Sequence, residues 1–342
     1  MTQPSDNKNA FTHTDLPSLK APLLSVCNLE IRFPNRMGDT TPAVHKLSYQ
    51  LGHGRTLGVV GESGCGKTIT ALAILDLLDP PGKITEGEIK LEGKDLRLLS
   101  SDTRAKIRGS KIGMVFQEPL TALNPVFTIG EQIAEVVVQH LHFSKKDASS
   151  RAIELLDLVR VPSPDKRIRD YPHQLSGGLR QRAMIAMAIA GEPILLIADE
   201  PTTALDVTVQ SQILDLFLDL QQQTNMTIQF ISHDLAVVSE IADEVLVLYA
   251  GRVVERASAQ ALFSNPLHPY SRGLLETMPR LGTTLKRLPA IPGQIPVISN
   301  LPTGCPFRDR CPIAAPECSI QEPKVTEVGH DHWVACLKVD PP

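Results

Sequence analysis

Residues 61–68 read Gly-Glu-Ser-Gly-Cys-Gly-Lys-Thr and constrain the fold of this chain more than any other stretch. They follow the apolar run 56–60 and precede the helix-like run 69–78. The spacing of the outer glycines, the lysine and the threonine is that of a phosphate-binding loop, and the strand–loop–helix context that such a loop requires is present. That context argues against the alternative, a glycine-rich turn that matches by chance. The sequence therefore predicts that the chain binds a nucleoside triphosphate.

The residue types of this loop suit the chemistry of a triphosphate. Glycines let several backbone N–H groups point inward without a Cβ in the way, and the helix that begins near Lys67 adds its positive dipole end. The lysine can reach the β- and γ-phosphates, and the Thr68 hydroxyl can ligate Mg²⁺. The predicted nucleotide-binding residues of the loop are Gly61, Glu62, Ser63, Gly64, Cys65, Gly66, Lys67 and Thr68.

Length and composition limit the number of domains, the kinds of partner and the location of the protein. The 342 residues suffice for one large domain and a smaller one, and the net charge of −4 argues against a nucleic-acid partner. No apolar run approaches the roughly 18 residues that cross a bilayer. Residues 1–21 are polar and lack the apolar core of a secretory signal, so a disordered tail is expected over 1–22. We expect a cytoplasmic protein with reduced thiols.

Strands alternate with helices along most of the chain, which predicts an α/β fold with a largely parallel sheet. A block of helices at about 120–190 interrupts the strands and is expected to be an insertion between two halves of the sheet. The predicted strands are 23–33, 44–51, 56–60, 88–91, 111–116, 194–198, 227–231, 244–249 and 252–255. The predicted helices are 69–78, 129–138, 151–159, 179–190 and 207–222.

After about residue 260 the composition changes. Prolines recur through this part and break up any long element, so a second α/β domain is excluded. The same part contains four of the six cysteines. We therefore expect something other than a large apolar core to hold it together.

Six signals in order, between residues 61 and 233, resemble the ATPase subunits of ABC transporters. The resemblance implies a P-loop NTPase (RecA-like) ABC ATPase core over 23–260, with the helical subdomain at about 120–190 and an extension over 261–342. The six are Gly61–Thr68, the Q-loop glutamine Gln117, the signature 175–181, the Walker B strand 194–200, the D-loop 201–206 and the switch histidine His233.

The resemblance also implies roles for these residues. Asp199 would hold Mg²⁺ together with Thr68 and Gln117, and Glu200 would orient or deprotonate the attacking water. Lys67, Gln117, Glu200 and His233 form the predicted catalytic set. The alternative for Asp199–Glu200 alone is a solvated turn, and a lone glutamine or histidine is usually structural.

The signature implies a second subunit. In this family such a segment faces the γ-phosphate bound by the other subunit, so that two ATP molecules lie in a head-to-tail dimer. The residues predicted to face that nucleotide are Ser176, Gly177, Gly178 and Gln181, with Asp206 in the D-loop. Ser176 is expected to cap the helix that follows it. Phe33 stands where the family places an aromatic that stacks on adenine, the alternative being a core phenylalanine.

Residues 265–275 and 304–312 resemble the C-terminal extension of oligopeptide and dipeptide importer ATPases. The resemblance implies a peripheral ATPase on the cytoplasmic face of the inner membrane, docked through 120–190 on two permease subunits. A second, related ATPase and an extracytoplasmic substrate-binding protein would complete the transporter. Alternatives are nickel or glutathione import, a soluble ABC-type ATPase of translation or DNA repair, or an anion-binding regulatory module.

The four late cysteines are spaced C-x5-C-x6-C-x17-C, and four thiolates can hold an iron–sulfur cluster or Zn²⁺. Related extensions carry a [4Fe–4S] cluster, which is the expected cofactor here, with zinc or free thiols as alternatives. The predicted ligands are Cys305, Cys311, Cys318 and Cys336.

Cys65 lies inside the phosphate-binding loop beside Lys67. The helix dipole and the lysine charge both favour a thiolate, so its pKa is predicted to lie below that of a free cysteine. The alternative is an inert small residue that fills the loop. Cys27 lies in a predicted strand and is expected to be part of the core.

Overall fold

The computed structural model describes residues 21–34, 40–278, 290–296 and 301–339. The tail predicted over 1–22 lies outside the described residues, apart from its last two positions. The strands are β1 Leu24–Pro34, β2 Thr40–Leu51, β3 Thr56–Val60, β4 Lys83–Leu91, β5 Lys94–Asp95, β6 Ile112–Val115, β7 Leu195–Asp199, β8 Thr227–Ser232, β9 Glu244–Tyr249, β10 Arg252–Ser258, β11 Thr326–Gly329 and β12 His332–Val334. The helices are α1 Lys67–Ile74, α2 Ser101–Ser110, α3 Pro119–Ala122, α4 Ile129–Leu141, α5 Lys145–Leu158, α6 Pro164–Arg167, α7 Gly177–Ile189, α8 Val207–Thr224, α9 Leu235–Ile241, α10 Ala259–Ser264 and α11 Pro269–Glu276.

The larger sheet has the strand order β11-β12-β10-β9-β3-β8-β7-β6. Its central strands β9, β3, β8, β7 and β6 are parallel. Every residue of β3, β7 and β8 is buried, as expected for parallel strands covered on both faces. The loops that leave the carboxyl ends of β3, β6, β7 and β8 therefore meet along one edge of the sheet, and the predicted catalytic residues lie on them.

A second, antiparallel sheet has the order β2-β1-β4-β5. Its apolar side chains form a separate core with α1 and with the adjoining face of the larger sheet. The predicted strands 44–51 and 88–91 are confirmed but are longer, since β2 begins at Thr40 and β4 at Lys83. The helix predicted over 69–78 is shorter and ends at Ile74.

The helices α3 to α7 lie between β6 and β7, so the predicted helical block interrupts the sheet at the expected place. A capping box formed by Thr128 and Glu131 begins α4, and Ser144 caps α5. The sequence analysis missed α2, because none of its residues is buried and it therefore shows no apolar periodicity.

The proline-rich extension is attached to the main core, which corrects the expectation that something other than a large apolar core holds it together. Tyr270 and Phe307 are buried and belong to the same cluster as the sheet residue Tyr249. The three rings pack edge-to-face with centroids 4.8 to 5.4 Å apart. In addition, β12 pairs with β10, so the extension adds strands to one edge of the larger sheet.

Candidate nucleotide-binding site

The phosphate-binding loop is shaped by close packing against the chain around it. Gly66, at φ 101°, precedes α1 in the left-handed region where glycine is favoured. A Cβ at Gly61 would lie 2.3 Å from the carbonyl oxygen of Leu248 and 2.7 Å from the Cys65 sulfur. The loop therefore admits no side chain at its first glycine without displacing backbone.

Lys67 is only 5% exposed, and its ammonium points back over the loop. The Nζ atom donates to the carbonyl oxygens of Gly61 at 2.7 Å and Glu62 at 3.2 Å. These bonds hold the positive charge at the centre of the loop, where phosphate oxygens would compete for it.

Thr68 and Asp199 meet although 131 residues separate them. The threonine hydroxyl donates to Asp199 Oδ1 at 3.2 Å, across the gap between α1 and the end of β7. Burial raises the pKa of Asp199, while the bond from Thr68 opposes that rise. A hydroxyl beside a carboxylate is the oxygen-rich pair that Mg²⁺ prefers.

Glu200 contacts two of the other predicted catalytic residues, Gln117 and His233. Its Oε2 atom accepts from Gln117 Nε2 at 3.3 Å and from the Thr203 hydroxyl at 2.9 Å, and His233 Nδ1 lies 3.0 Å away. Its backbone has φ 47°, an uncommon conformation for a residue with a side chain and one that recurs at functional sites. The carboxylate is 14% exposed and the histidine 56%, so the cluster opens toward solvent.

The signature segment lies at the exposed start of α7. Ser176 caps the helix by accepting from the Leu179 N–H, which confirms the predicted N-cap. A Cβ at Gly177 would meet no atom within 4 Å. Gln181 does not fit its predicted contact with a second subunit's nucleotide, because packing under α7 leaves it only 2% exposed.

Asp206 and Phe33 also have structural contacts. The Asp206 carboxylate accepts from the Val209 N–H at 2.9 Å and so caps α8. The Phe33 ring is half-buried and packs on Gly82, where a Cβ would lie 2.6 Å from two ring carbons. Adenine stacking by Phe33 stays a prediction.

The prediction of a low pKa for Cys65 is wrong. The side chain is fully buried, and burial raises the pKa of its thiol. Lys67 acts in the opposite direction, but desolvation of the thiolate is the larger effect. Cys65 therefore behaves as a small core residue of the loop.

Two residues that the sequence analysis did not single out reach the phosphate-binding loop from the extension. Tyr270 and Arg310 both bind Glu62, the second residue of the loop. Arg310 lies 248 positions away along the chain, so no local pattern could have identified this contact.

The four late cysteines lie near one another. The Cys305 N–H donates to the Cys318 carbonyl at 2.8 Å. Burial, together with the neighbouring sulfurs, raises the pKa of the Cys305 thiol to about 11. Nevertheless, no group of three or more His, Cys, Asp or Glu side chains within the described ranges is placed to hold a metal ion. The structure thus brings the thiols together without arranging them as ligands.

The fold and this site define a P-loop ATPase. The family model of ABC transporter ATPases matches residues 44–203, and that of the oligopeptide/dipeptide transporter C-terminal region matches 254–318. The oligopeptide transport ATP-binding protein AppD of Bacillus subtilis is 49% identical over 92% of this chain and 96% of its own length. The dipeptide transport ATP-binding protein DppD of the same organism is 46% identical over 93% and 95%. The chain belongs to the ABC transporter ATP-binding family.

A solved relative agrees with this assignment. The ATP-binding cassette MJ0796, determined as a dimer bound to ADP and Pi, covers 69% of this chain and 98% of its own, with a TM-score of 0.62 and 27% identity. The present chain is accordingly an ATPase, for which ATP with Mg²⁺ is the expected substrate. In the part of the chain that the structure describes, every helix is too short or too polar to cross a bilayer.

Proposed function

We propose that this ATPase powers the import of di- and oligopeptides. The observation that carries the proposal is the pairing of an ABC core with the oligopeptide/dipeptide C-terminal region in one chain. The names of its relatives, which refer to oligopeptide and dipeptide transport, point to the same solute class. The same role in nickel or glutathione import remains the alternative.

For hydrolysis we propose that Glu200 handles the attacking water. Its carboxylate is oriented by Gln117, Thr203 and His233, which is how a general base is held in position. Lys67 would bind the β- and γ-phosphates after exchanging its bonds with the loop carbonyls for bonds to phosphate oxygens. Bound Mg²⁺ would neutralise charge on the phosphates. Thr68 and Asp199 are its proposed ligands, with Gln117 beside them.

Glu200→Gln tests this assignment, because it keeps the shape of the side chain and removes the carboxylate. ATP binding should be retained, while turnover in the assembled transporter should fall by about 10²- to 10⁴-fold. Glu240→Gln, which alters an exposed glutamate on α9, is the matched control. A Glu200→Gln rate within about threefold of the wild-type rate would contradict the role.

The signature segment supports a second ATPase subunit, which we propose to be a related but different chain. Ser176 and Gly177 are exposed at a helix N-terminus, and the space around Gly177 is open. Backbone N–H groups at such a terminus suit an anion. The γ-phosphate of a nucleotide bound by the second subunit is the proposed occupant.

The segment that follows Gln117 supports docking on two permease subunits at the cytoplasmic face of the inner membrane. It exposes three large apolar side chains within eight positions: Leu120 at 61%, Val126 at 70% and Phe127 at 49%. Contiguous exposed apolar surface marks protein contact sites, and these three side chains are the proposed contact. Because the segment continues from Gln117, which donates to Glu200, docking there would change the position of the Glu200 carboxylate. An extracytoplasmic protein would deliver the peptide.

For the four cysteines we propose a [4Fe–4S] cluster, with zinc and free thiols as the competing outcomes. The support is the proximity of the thiols. In the described arrangement they do not fit a metal, so binding would require them to rearrange. Iron, sulfide and zinc analysis of anaerobically purified protein tests this. Iron with broad absorption near 400 nm that Cys311→Ser removes is the expected result. Zinc alone, or no metal, would refute the cluster.

Uptake by cells that carry Glu200→Gln tests the solute. We expect uptake of a radiolabelled dipeptide and a radiolabelled pentapeptide to be lost, while uptake of free amino acids is unchanged. Labelled glutathione and ⁶³Ni²⁺ are measured in parallel. Normal peptide uptake together with loss of either of these two would replace the peptide assignment.

A further inference from the structure

Glu62 has its backbone N–H, its carbonyl and its carboxylate all hydrogen-bonded, and two of its four partners belong to the C-terminal extension. Its backbone N–H donates to the Tyr270 hydroxyl at 2.9 Å, and its carbonyl accepts from Lys67. Its carboxylate accepts a bidentate pair from Arg310, with Nη1 at 2.7 Å and Nη2 at 3.0 Å. The C-terminal extension is therefore hydrogen-bonded to the phosphate-binding loop through both the backbone and the side chain of one residue.

Arg310 is held in a single orientation. Its side chain is 5% exposed, its Nε donates to the Pro292 carbonyl at 2.9 Å, and its guanidinium lies 5.7 Å from the Tyr249 ring centroid and 5.9 Å from that of Phe307. A bidentate bond between a guanidinium and a carboxylate fixes geometry as well as charge. Because its other contacts hold Arg310 in place, Arg310 determines the position of the Glu62 carboxylate.

The charge of Glu62 explains why this matters for ATP. A carboxylate in a loop that binds a triphosphate repels the phosphates unless a cation neutralises it. Arg310 supplies that cation at the Glu62 carboxylate, so that the Lys67 ammonium, which bonds to loop carbonyls, does not pair with this carboxylate. Removing Arg310 would leave the carboxylate unpaired and able to turn toward Lys67 or the phosphates.

We propose that Arg310 and Tyr270 are positioning residues of the phosphate-binding loop and that, through Glu62, the C-terminal extension sets the affinity of the site for ATP. The proposal does not depend on which solute is transported or on metal binding by the cysteines. It assigns to the extension a function in nucleotide binding.

The test uses the full-length chain and the dissociation constant of MgATP. Arg310→Met should raise it by about tenfold or more, the equivalent of one charge-assisted hydrogen bond. In the ATPase assay the loss should appear in KM for ATP, with kcat largely retained. Arg308→Met is the matched control, because among the described residues the Arg308 guanidinium donates only to Thr303, Asp309 and Ser319 and makes no bond to the phosphate-binding loop.

A double variant separates positioning from general destabilisation. Glu62→Gln combined with Arg310→Met removes the unpaired charge and should recover most of the lost affinity, which a purely structural defect would not allow. A dissociation constant for Arg310→Met equal to that of Arg308→Met, or no recovery in the double variant, would overturn the proposal.

Tyr270→Phe gives an independent measurement should Arg310→Met fail to fold. It removes only the hydroxyl that accepts from the Glu62 N–H and leaves the ring in its aromatic cluster. The dissociation constant should rise about threefold, as expected for one neutral hydrogen bond. An unchanged constant, in protein whose melting temperature matches the wild type, would contradict the role of Tyr270.

Discussion

The phosphate-binding loop and the signature segment are both glycine-rich and both begin a helix, but they differ in burial and in packing against the rest of the chain. Gly66 and Lys67 are buried, and the loop is packed against Leu248 and bound by the extension. The signature residues Ser176 and Gly177 are exposed, and open space surrounds the glycine.

This difference agrees with the proposal that one chain forms the phosphate-binding loop by itself, whereas the signature segment acts together with a second subunit. Glycine at position 61 is required by neighbours within the same chain. At position 177 the described part of the chain leaves open space, which is where the proposed second subunit would make its contact.

The same substitution at the two glycines should give the largest contrast. Gly61→Ala places a methyl group 2.3 Å from the Leu248 carbonyl and should cost about 1–3 kcal/mol of unfolding free energy, as overpacking does. Gly177→Ala meets no atom within 4 Å and should stabilise α7 by up to about 1 kcal/mol. Urea unfolding of the two variants measures both effects. Equal destabilisation would mean that the signature glycine is also packed by its own chain.

The attachment of the extension to the loop should depend on pH through His268, which precedes α11 and accepts from the Tyr270 N–H. Burial lowers the pKa of His268 to about 4, while Glu255 acts to raise it and Arg272 to lower it. The unfolded chain, with a histidine pKa of about 6.5, binds the proton first. The stabilising contribution is therefore complete above pH 6.5 and is lost as the pH falls toward 4, and the loss of unfolding free energy reaches about 2 kcal/mol at pH 5.

His268→Asn keeps a side-chain acceptor for Tyr270 and removes the titration. Its unfolding free energy should fall less between pH 7 and pH 5 than that of the wild type, as measured by urea unfolding at the two values. Identical decreases would show that His268 does not titrate on unfolding.

The smallest expected effect is at Cys65. Because the thiol is buried and its pKa is raised, iodoacetamide at neutral pH should modify it more slowly than the half-buried Cys27. Peptide mass mapping over time, with and without MgATP, gives the order of labelling. Faster labelling of Cys65 than of Cys27 would mean that the loop opens far more often than its packing indicates.

The sequence by itself determined the elements whose signals are local. A phosphate-binding loop, a helix cap at Ser176 and a buried strand ending at Asp199 each depend on residues within a few positions, so they are legible without a structure. The order of these motifs then identified the fold, although it did not indicate α2, whose exposed surface carries no periodicity.

Only the tertiary structure decided what each residue faces. The burial of Cys65 and Gln181 reverses expectations that were chemically sound for exposed side chains. Likewise, β12 joins the sheet at β10, and Arg310 meets Glu62 across 248 positions. Desolvation and ion pairing depend on atoms brought from distant parts of the chain, and such contacts leave no periodic or spacing signal in a single sequence.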